Sequence, residues 1–192
     1  AGMVPSGVPR KPGEDLELVE RAQAGDTGAF EDLVRKHQGP LYGYVYRMLG
    51  NRDEAEELVQ VALVQAWKYL AGFRRNSSFK TWLYRIATNR CINKVTRRKP
   101  TVELPETLVG PESEEPEREF ERRRREELVR GALDELPGDQ RAALVMATWE
   151  DMSYKDIGRA MGRSARAVDS LLFRARQNLK KLLEPARERG EV

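Results

Sequence analysis

The chain has 192 residues, 34 Lys and Arg against 31 Asp and Glu, and a formal net charge of +3. That length holds one domain or two small ones, and 40% apolar beside 34% charged and 7% aromatic residues suits thin helical bundles better than one large core. A single cysteine (Cys91) and a single histidine (His37) exclude an internal disulfide and leave no ligand set for a metal, so neither metal nor other cofactor is expected.

No apolar run approaches the roughly 20 residues that cross a bilayer, and no signal-peptide pattern opens the chain, so a cytoplasmic protein is expected without membrane insertion. Residues 1–13 are rich in Gly and Pro and read as a disordered tail. Helical periodicity starts at Asp15, read as an N-cap, and carries Leu16, Val19 and Ala22 until Gly25. A second helix over Thr27–His37 buries Ala29, Phe30, Leu33 and Val34. Pro40 opens a third, with Leu41, Tyr42, Val45, Met48 and Leu49 inward and Gly50-Asn51 closing it. The fourth, from Asp53, repeats Ala55, Leu58, Val59, Ala62, Leu63, Ala66 and Trp67 at i, i+3, i+4, i+7. After a loop at 71–78, Ser77 or Ser78 caps a fifth helix from Phe79 to about Val95, with Phe79, Leu83, Ile86 and Ala87 inward.

Pro100, Pro105, Pro111 and Pro116, interleaved with glutamates, read as a flexible acidic linker. A charged helix begins near Arg118 and gains an apolar face at Leu128, Val129, Ala132, Leu133 and Leu136 before Pro137. Gly138–Trp149 and Tyr154–Met161 follow, and a last helix runs from Ser164 to about Leu183. No strand-like alternation occurs. The expected fold is all-α: a tail at 1–13, a helical bundle at 14–99, a linker at 100–120, a helix-turn-helix bundle at 121–185 and a tail at 186–192.

Charge is segregated more than the total suggests. Lys94, Arg97, Arg98 and Lys99 form a basic run, and Glu103, Glu106, Glu112, Glu114, Glu115, Glu117, Glu119 and Glu121 follow against Arg118 alone. Such segregation points to different partners for different segments.

Three constellations carry functional meaning. In 153–179, Ser153 caps a short helix, Gly162-Arg163 makes a turn, and Ser164 caps a second helix with Val168, Leu171, Leu172 and Ala175 inward. Two short helices across a glycine turn form a helix-turn-helix, whose second member enters a DNA major groove. Its outward residues are Arg166, Asp169, Ser170, Phe173, Arg174 and Gln177. An ordinary helical hairpin with a solvated outer face has the same spacing. The second constellation joins Phe73, Arg74 and Asn76 to a helix displaying Lys80, Thr81, Tyr84, Arg85, Thr88 and Asn89, and then to the basic run. Rings, amides and cations together suit single-stranded DNA; alternatively Trp82 and Tyr84 are core and the arginines solvated. The third is Val61 and Val64, off the buried stripe and flanked by Glu54, Glu57, Gln60 and Gln65, which either meet a partner helix or are covered within the domain.

The stretches DEAEELVQ at 53–60, AWKYL at 66–70, FRRNSSFKTWLYRIATNRC at 73–91 and LPGDQRAALVMATWEDMSYKDIGRAMGRSARAVDSLLFRARQNL at 136–179 resemble the small extracytoplasmic-function sigma factors of bacterial RNA polymerase. The resemblance runs from about Leu16 to Leu183. It implies an initiation factor, not an enzyme, with no catalytic residues; it binds core polymerase and opens promoters, for a stress or envelope response and under an anti-sigma factor. It implies polymerase contact, on a clamp coiled coil of the large subunit, through Asp53, Glu54, Glu57, Leu58, Gln60, Val61 and Val64, with a further contact to the flap region. It implies melting and reading of the downstream promoter element through Phe73, Arg74, Asn76, Ser77, Ser78, Lys80, Thr81, Trp82, Arg85, Asn89, Lys94, Arg97 and Arg98. The upstream element is then read as duplex by Ser164, Arg166, Asp169, Ser170, Phe173, Arg174 and Arg176.

Two departures bear on this. Val61 and Leu63 stand where the family commonly has an acid and a phenylalanine, which makes polymerase contact more apolar. Ala167-Val168-Asp169-Ser170-Leu171 replaces a usual Thr-Val-Lys-Ser-Arg, removing two cations and their phosphate grip. The acidic segment either mimics nucleic acid in a polymerase channel or is a soluble spacer. A stand-alone helix-turn-helix regulator acting on duplex DNA is the alternative function; the aromatic-rich 73–89 segment argues against it, because such a regulator need not melt DNA. No glycine-rich phosphate loop or nucleophile–base pair supports an enzyme.

Overall fold

The apolar stripes fold into helices throughout. The computed structural model describes residues 14–97 and 116–191 and contains no strand among them. The elements are α1 (Glu14–Gln23), α2 (Thr27–Leu49), α3 (Arg52–Tyr69), a 3-10 turn (Leu70–Gly72), α4 (Phe79–Arg97), α5 (Pro116–Asp134), α6 (Gly138–Trp149), α7 (Tyr154–Met161) and α8 (Ala165–Glu188). The expectations placed on residues 1–13, on Arg98 and on most of the acidic segment lie outside the described residues.

α1–α4 make the first bundle. Asp26 caps α2 by accepting from the Ala29 amide at 3.1 Å, and Asn51 caps α3 by accepting from the Glu54 amide at 3.0 Å. Two expectations fail here. Asp15 is not an N-cap: it lies inside α1 and binds α2, 2.7 Å from Lys36 Nζ and 2.9 Å from His37 Nε2. Pro40 opens no helix, because α2 runs straight through it. The buried stripe Leu33, His37, Leu41, Tyr44, Val45, Met48 is continuous across the proline. Gly39 and Pro40 lie on the exposed side, where water can serve the carbonyl that the missing N–H leaves without a partner.

α5–α8 make the second bundle, with Ala132, Leu133, Leu136, Ala142, Val145, Met146, Ile157, Ala160, Val168, Leu171, Leu172 and Ala175 buried. α5 begins at Pro116, earlier than the apolar pattern suggested, and α8 continues through Pro185 to Glu188. Buried Ala186 explains the extension, since it packs the end of α8 beside the residues of α5 that line the same groove.

The two bundles share one continuous core. α4 is therefore buried on two faces. One meets α2 and α3; the other meets α6 and α7. Thr81 and Thr88, expected to face outward, are buried, and Tyr84 takes the core place that was its alternative reading. Tyr44, fully buried, packs its ring at a tilt against Tyr84 with centroids 5.1 Å apart, and its hydroxyl lies 2.8 Å from Thr88 Oγ1. Burial pushes the Tyr44 phenol well above its ordinary range.

Candidate nucleic-acid interface

The 70–78 segment is held from three sides. Its base is aromatic: Phe73 stacks on Trp82 at 4.8 Å and meets Phe79 edge-on at 6.4 Å, and Phe79 in turn lies 5.4 Å from the His37 ring. Phe73 is 7% exposed, so it anchors the loop and presents no ring face for a base to stack on. From α1, Gln23 Nε2 donates to the carbonyls of Leu70 and Phe73, each at 2.9 Å. Arg75 pairs with Glu20, also on α1, and holds a left-handed backbone at φ 58°. Neither Gln23 nor Glu20 was singled out in the sequence, because contacts 47 and 55 residues apart leave no local pattern. Ser78 closes the loop as the cap of α4, accepting from the Thr81 amide at 3.1 Å, with Thr81 Oγ1 2.9 Å away. Thr81 thus belongs to the cap.

This framework leaves Arg74, Asn76 and Ser78 exposed and Ser77 half-exposed at the tip. Along α4, Arg85, Asn89 and Arg97 continue the exposed face at four-residue spacing, and Asn93, absent from the sequence-based set, fills the gap between them. Trp82 is half-buried in the aromatic base. Lys80 and Lys94 are committed elsewhere: Lys80 reaches Glu150 of the second bundle, and Lys94 Nζ lies 3.4 Å from Glu54 and 4.0 Å from Glu57.

Those last contacts cross a groove of ≈ 490 Å³ between α3 and α4. Glu54, Glu57 and Val61 form one wall and Arg90, Lys94 and Arg97 the other, with buried Leu58 beneath. Asp53, Gln60 and Val64 are exposed on α3 beyond it, Val64 at 67%. Leu58 is thus a floor residue of this surface, and the exposed apolar contacts come from Val61 and Val64.

The caps and turn of the helix-turn-helix are set by local hydrogen bonds. Ser153 Oγ accepts from the Asp156 amide at 3.1 Å and Ser164 Oγ from the Ala167 amide at 3.2 Å. Gly162 takes φ 66° at the turn, and the Arg163 amide donates to the Gly158 carbonyl at 2.8 Å. Gly158 is the residue sequence reasoning missed. A Cβ there would lie 2.5 Å from the Arg163 carbonyl oxygen, so only glycine allows α7 to meet the turn. A glycine inside a helical pattern, which lowers helix propensity, was the available signal.

On α8, Arg166, Asp169, Ser170, Phe173, Arg174 and Arg176 are all exposed, with Ser164 exposed at the cap. Ser170 Oγ donates to the Arg166 carbonyl at 3.2 Å and Arg174 Nε to the Ser170 carbonyl at 3.4 Å. One face thus offers cationic, hydroxyl and aromatic groups, with a single carboxylate among them, on a helix of a kind that can enter a groove. Among the described residues no cluster of His, Cys, Asp and Glu is arranged to hold a metal, and no helix is long and apolar enough to cross a membrane.

Comparison with known proteins agrees with this division. Residues 33–101 match Sigma-70 region 2 and residues 126–179 match Sigma-70, region 4. The chain is 38% identical over 183 residues to the RNA polymerase sigma-H factor of Pseudomonas aeruginosa, covering 90% of this chain and 95% of that one. It is 32% identical to the ECF RNA polymerase sigma-E factor of Haemophilus influenzae, covering 89% and 96%. Among solved structures it resembles CnrH in complex with the cytosolic domain of CnrY (TM-score 0.68, 25% identity, 90% and 98% covered). It also shares the fold of the sigma factor RpoE of Bartonella quintana, solved with the anti-sigma factor NepR (TM-score 0.62, 24% identity, 81% and 96% covered). Both regions, in order, set aside a stand-alone helix-turn-helix regulator: the chain belongs to the RNA polymerase sigma factors of the sigma-70 family, in the extracytoplasmic-function group.

Proposed function

We propose that the bundle within 14–99 docks on core polymerase through Asp53, Glu54, Glu57, Gln60, Val61 and Val64 around the α3–α4 groove, with Leu58 as its floor. Its loop tip and the outer face of α4, through Arg74, Asn76, Ser77, Ser78, Arg85, Asn89 and Arg97, then take the opened downstream strand. The bundle within 121–185 reads the upstream element as duplex through the α8 face. Phe73, Thr81 and Trp82 act by holding the loop in shape. The protein works where polymerase and DNA are, in the cytoplasm, and lends specificity without turnover. An anti-sigma inhibitor that competes for the polymerase-facing surfaces completes the scheme; the RpoE structure of Bartonella quintana is of a sigma factor in complex with an anti-sigma factor.

The observation carrying this reading is one chain with two differently built exposed surfaces, a clamped loop tip and the cationic outer face of α8. Run-off transcription with core polymerase and this chain on a genomic fragment library is the test. Specific transcripts that require the chain are expected; their absence across the library overturns the reading.

A further inference from the structure

The helix-turn-helix stretch 153–179 carries six cations, Lys155, Arg159, Arg163, Arg166, Arg174 and Arg176, against two carboxylates, Asp156 and Asp169. Asp156 is used inside the motif: it accepts from the Ser153 hydroxyl at 2.6 Å and lies 3.5 Å from the Arg159 guanidinium. Asp169 is not. It is exposed on α8 and makes no ion pair or side-chain hydrogen bond among the described residues, although Arg166 stands one turn before it. A helix-end role does not account for it either. Ser164 already caps α8, and the pull of the helix dipole on an acid fades beyond the first turn, which Asp169 has passed.

An acid at this place is unfavourable twice over. Aspartate is a weak helix former, and a carboxylate on a face that meets a duplex is repelled by the phosphates. It is also the only acid between Ser164 and Glu184, so the face holds one ionised acceptor. A donor within the groove offsets both costs, and a base-pair edge supplies few. In the major groove only the exocyclic amines of cytosine and adenine donate; guanine N7 and O6 and thymine O4 accept, and they repel a carboxylate. Adenine sets its N7 acceptor beside the amine, so a carboxylate taking that amine meets a second lone pair. The cytosine amine has only a C–H beside it on its own base. Residues near the start of a recognition helix are the ones that reach base edges.

Resting on the upstream-element reading above, we propose that Asp169 reads a cytosine. Its carboxylate accepts from the cytosine N4 amine in the major groove and so fixes one position of the upstream element, while the surrounding cations hold the phosphates. The position discriminates in both senses: cytosine satisfies the carboxylate, and guanine or thymine there sets an acceptor against it.

The test is selection by the full chain from duplexes with about one helical turn randomised, with the bound fraction sequenced. The α8 face is exposed in the chain as it stands, so polymerase is not required. The native chain is expected to fix cytosine at one position. Asp169→Asn should turn that position to adenine, because an amide pairs with N6 and N7 together. Asp169→Ala should lose the preference there while the other selected positions keep theirs. On duplexes differing only at that base pair, the native chain should bind the cytosine form about tenfold tighter than the thymine form, and Asp169→Ala should bind the two within about twofold. On an unselected duplex Asp169→Ala should bind more tightly than the native chain, since a repelling charge is gone. A residue that merely supported the fold would weaken binding to every duplex alike.

A native selection without a fixed cytosine, or a cytosine that both variants leave in place, overturns the assignment and leaves duplex reading by α8 standing. Equal weakening at every position does the same. If no form of the chain enriches any sequence, the upstream-element reading itself fails and the assignment falls with it.

Discussion

The two surfaces proposed to face DNA are built on opposite plans. The helix-turn-helix is made almost wholly from local rules: two serine caps, a left-handed glycine and a close approach at Gly158. The 70–78 loop has no such autonomy. Its course depends on Gln23 and Glu20 of α1, on the Phe73–Trp82–Phe79 base and, through Phe79, on His37 of α2. A surface made of local rules tolerates change everywhere except at its few fixed points. One made of distant contacts fails softly from many places.

The largest expected effect tests the local plan. Gly158→Ala improves helix propensity by about 1 kcal/mol but forces a Cβ to 2.5 Å from a backbone oxygen that cannot give way without opening the turn. A net destabilisation of about 2 kcal/mol and a collapse of duplex binding are expected by thermal melting and gel shift. A stabilised variant would show that the turn is not a fixed point.

Gln23→Ala tests the distant plan. It removes the side-chain donor from the Phe73 carbonyl and leaves the Leu70 carbonyl with the Phe73 amide alone, for an expected cost of about 1–2 kcal/mol. Amide exchange in 70–75 should quicken and promoter opening should fall, while duplex binding by α8 holds. Equal losses in both functions would erase the contrast.

Asp15 sharpens the picture of how α1 is fastened. Desolvation raises its carboxyl, but hydrogen bonds from His37 and Lys36 outweigh it and bring the value down to about 2, from 3.8. A carboxyl depressed on folding stabilises above its unfolded value and loses that contribution as pH falls through its folded one. The stabilisation is therefore present at neutral pH and lost between about pH 4 and pH 2. Discounted for partial exposure, Asp15→Asn is expected to cost about 1 kcal/mol near neutrality and to flatten that acid limb in pH-dependent denaturation. An unchanged limb would mean that the Asp15 contacts do not fasten α1.

The smallest expected effect on stability is at Asn76, exposed at the loop tip. Asn76→Ala should shift stability by less than about 0.5 kcal/mol. It should still impair opening, read by permanganate reactivity, more than duplex binding. Equal losses would remove Asn76 from strand reading.

The same division explains what could be read from the sequence. The caps at Ser78, Ser153 and Ser164, the turn at Gly162 and the apolar stripes of α3 and α8 are local, and each stands where the pattern placed it, except that Trp67 at the end of the α3 stripe is exposed. Pro40 misled because its usual role as a helix opener was outweighed by a stripe that packs on both sides of it. Thr81 and Thr88 misled for a different reason. Polar types suggest solvent, but both are buried, Thr81 beside the Ser78 cap and Thr88 against the Tyr44 hydroxyl of α2. Lys80 and Lys94 were expected to hold a DNA strand, but each meets groups from other elements, Lys80 at Glu150 and Lys94 at Glu54 and Glu57.

Arg141, 2% exposed, carries a last consequence. From α6 its guanidinium donates to the Met48 carbonyl in the final turn of α2 at 2.8 Å, and it is held by the Asp134 carboxylate at 2.8 Å. Nearby, the Arg47 guanidinium lies 5.3 Å over the Trp149 ring. A residue of one bundle thus finishes a helix of the other, and neither half has its full set of hydrogen bonds alone. The two should melt as one cooperative unit in calorimetry, and a chain cut within 98–115 should stay together as a non-covalent pair. Physically, the folding unit is larger than the domain.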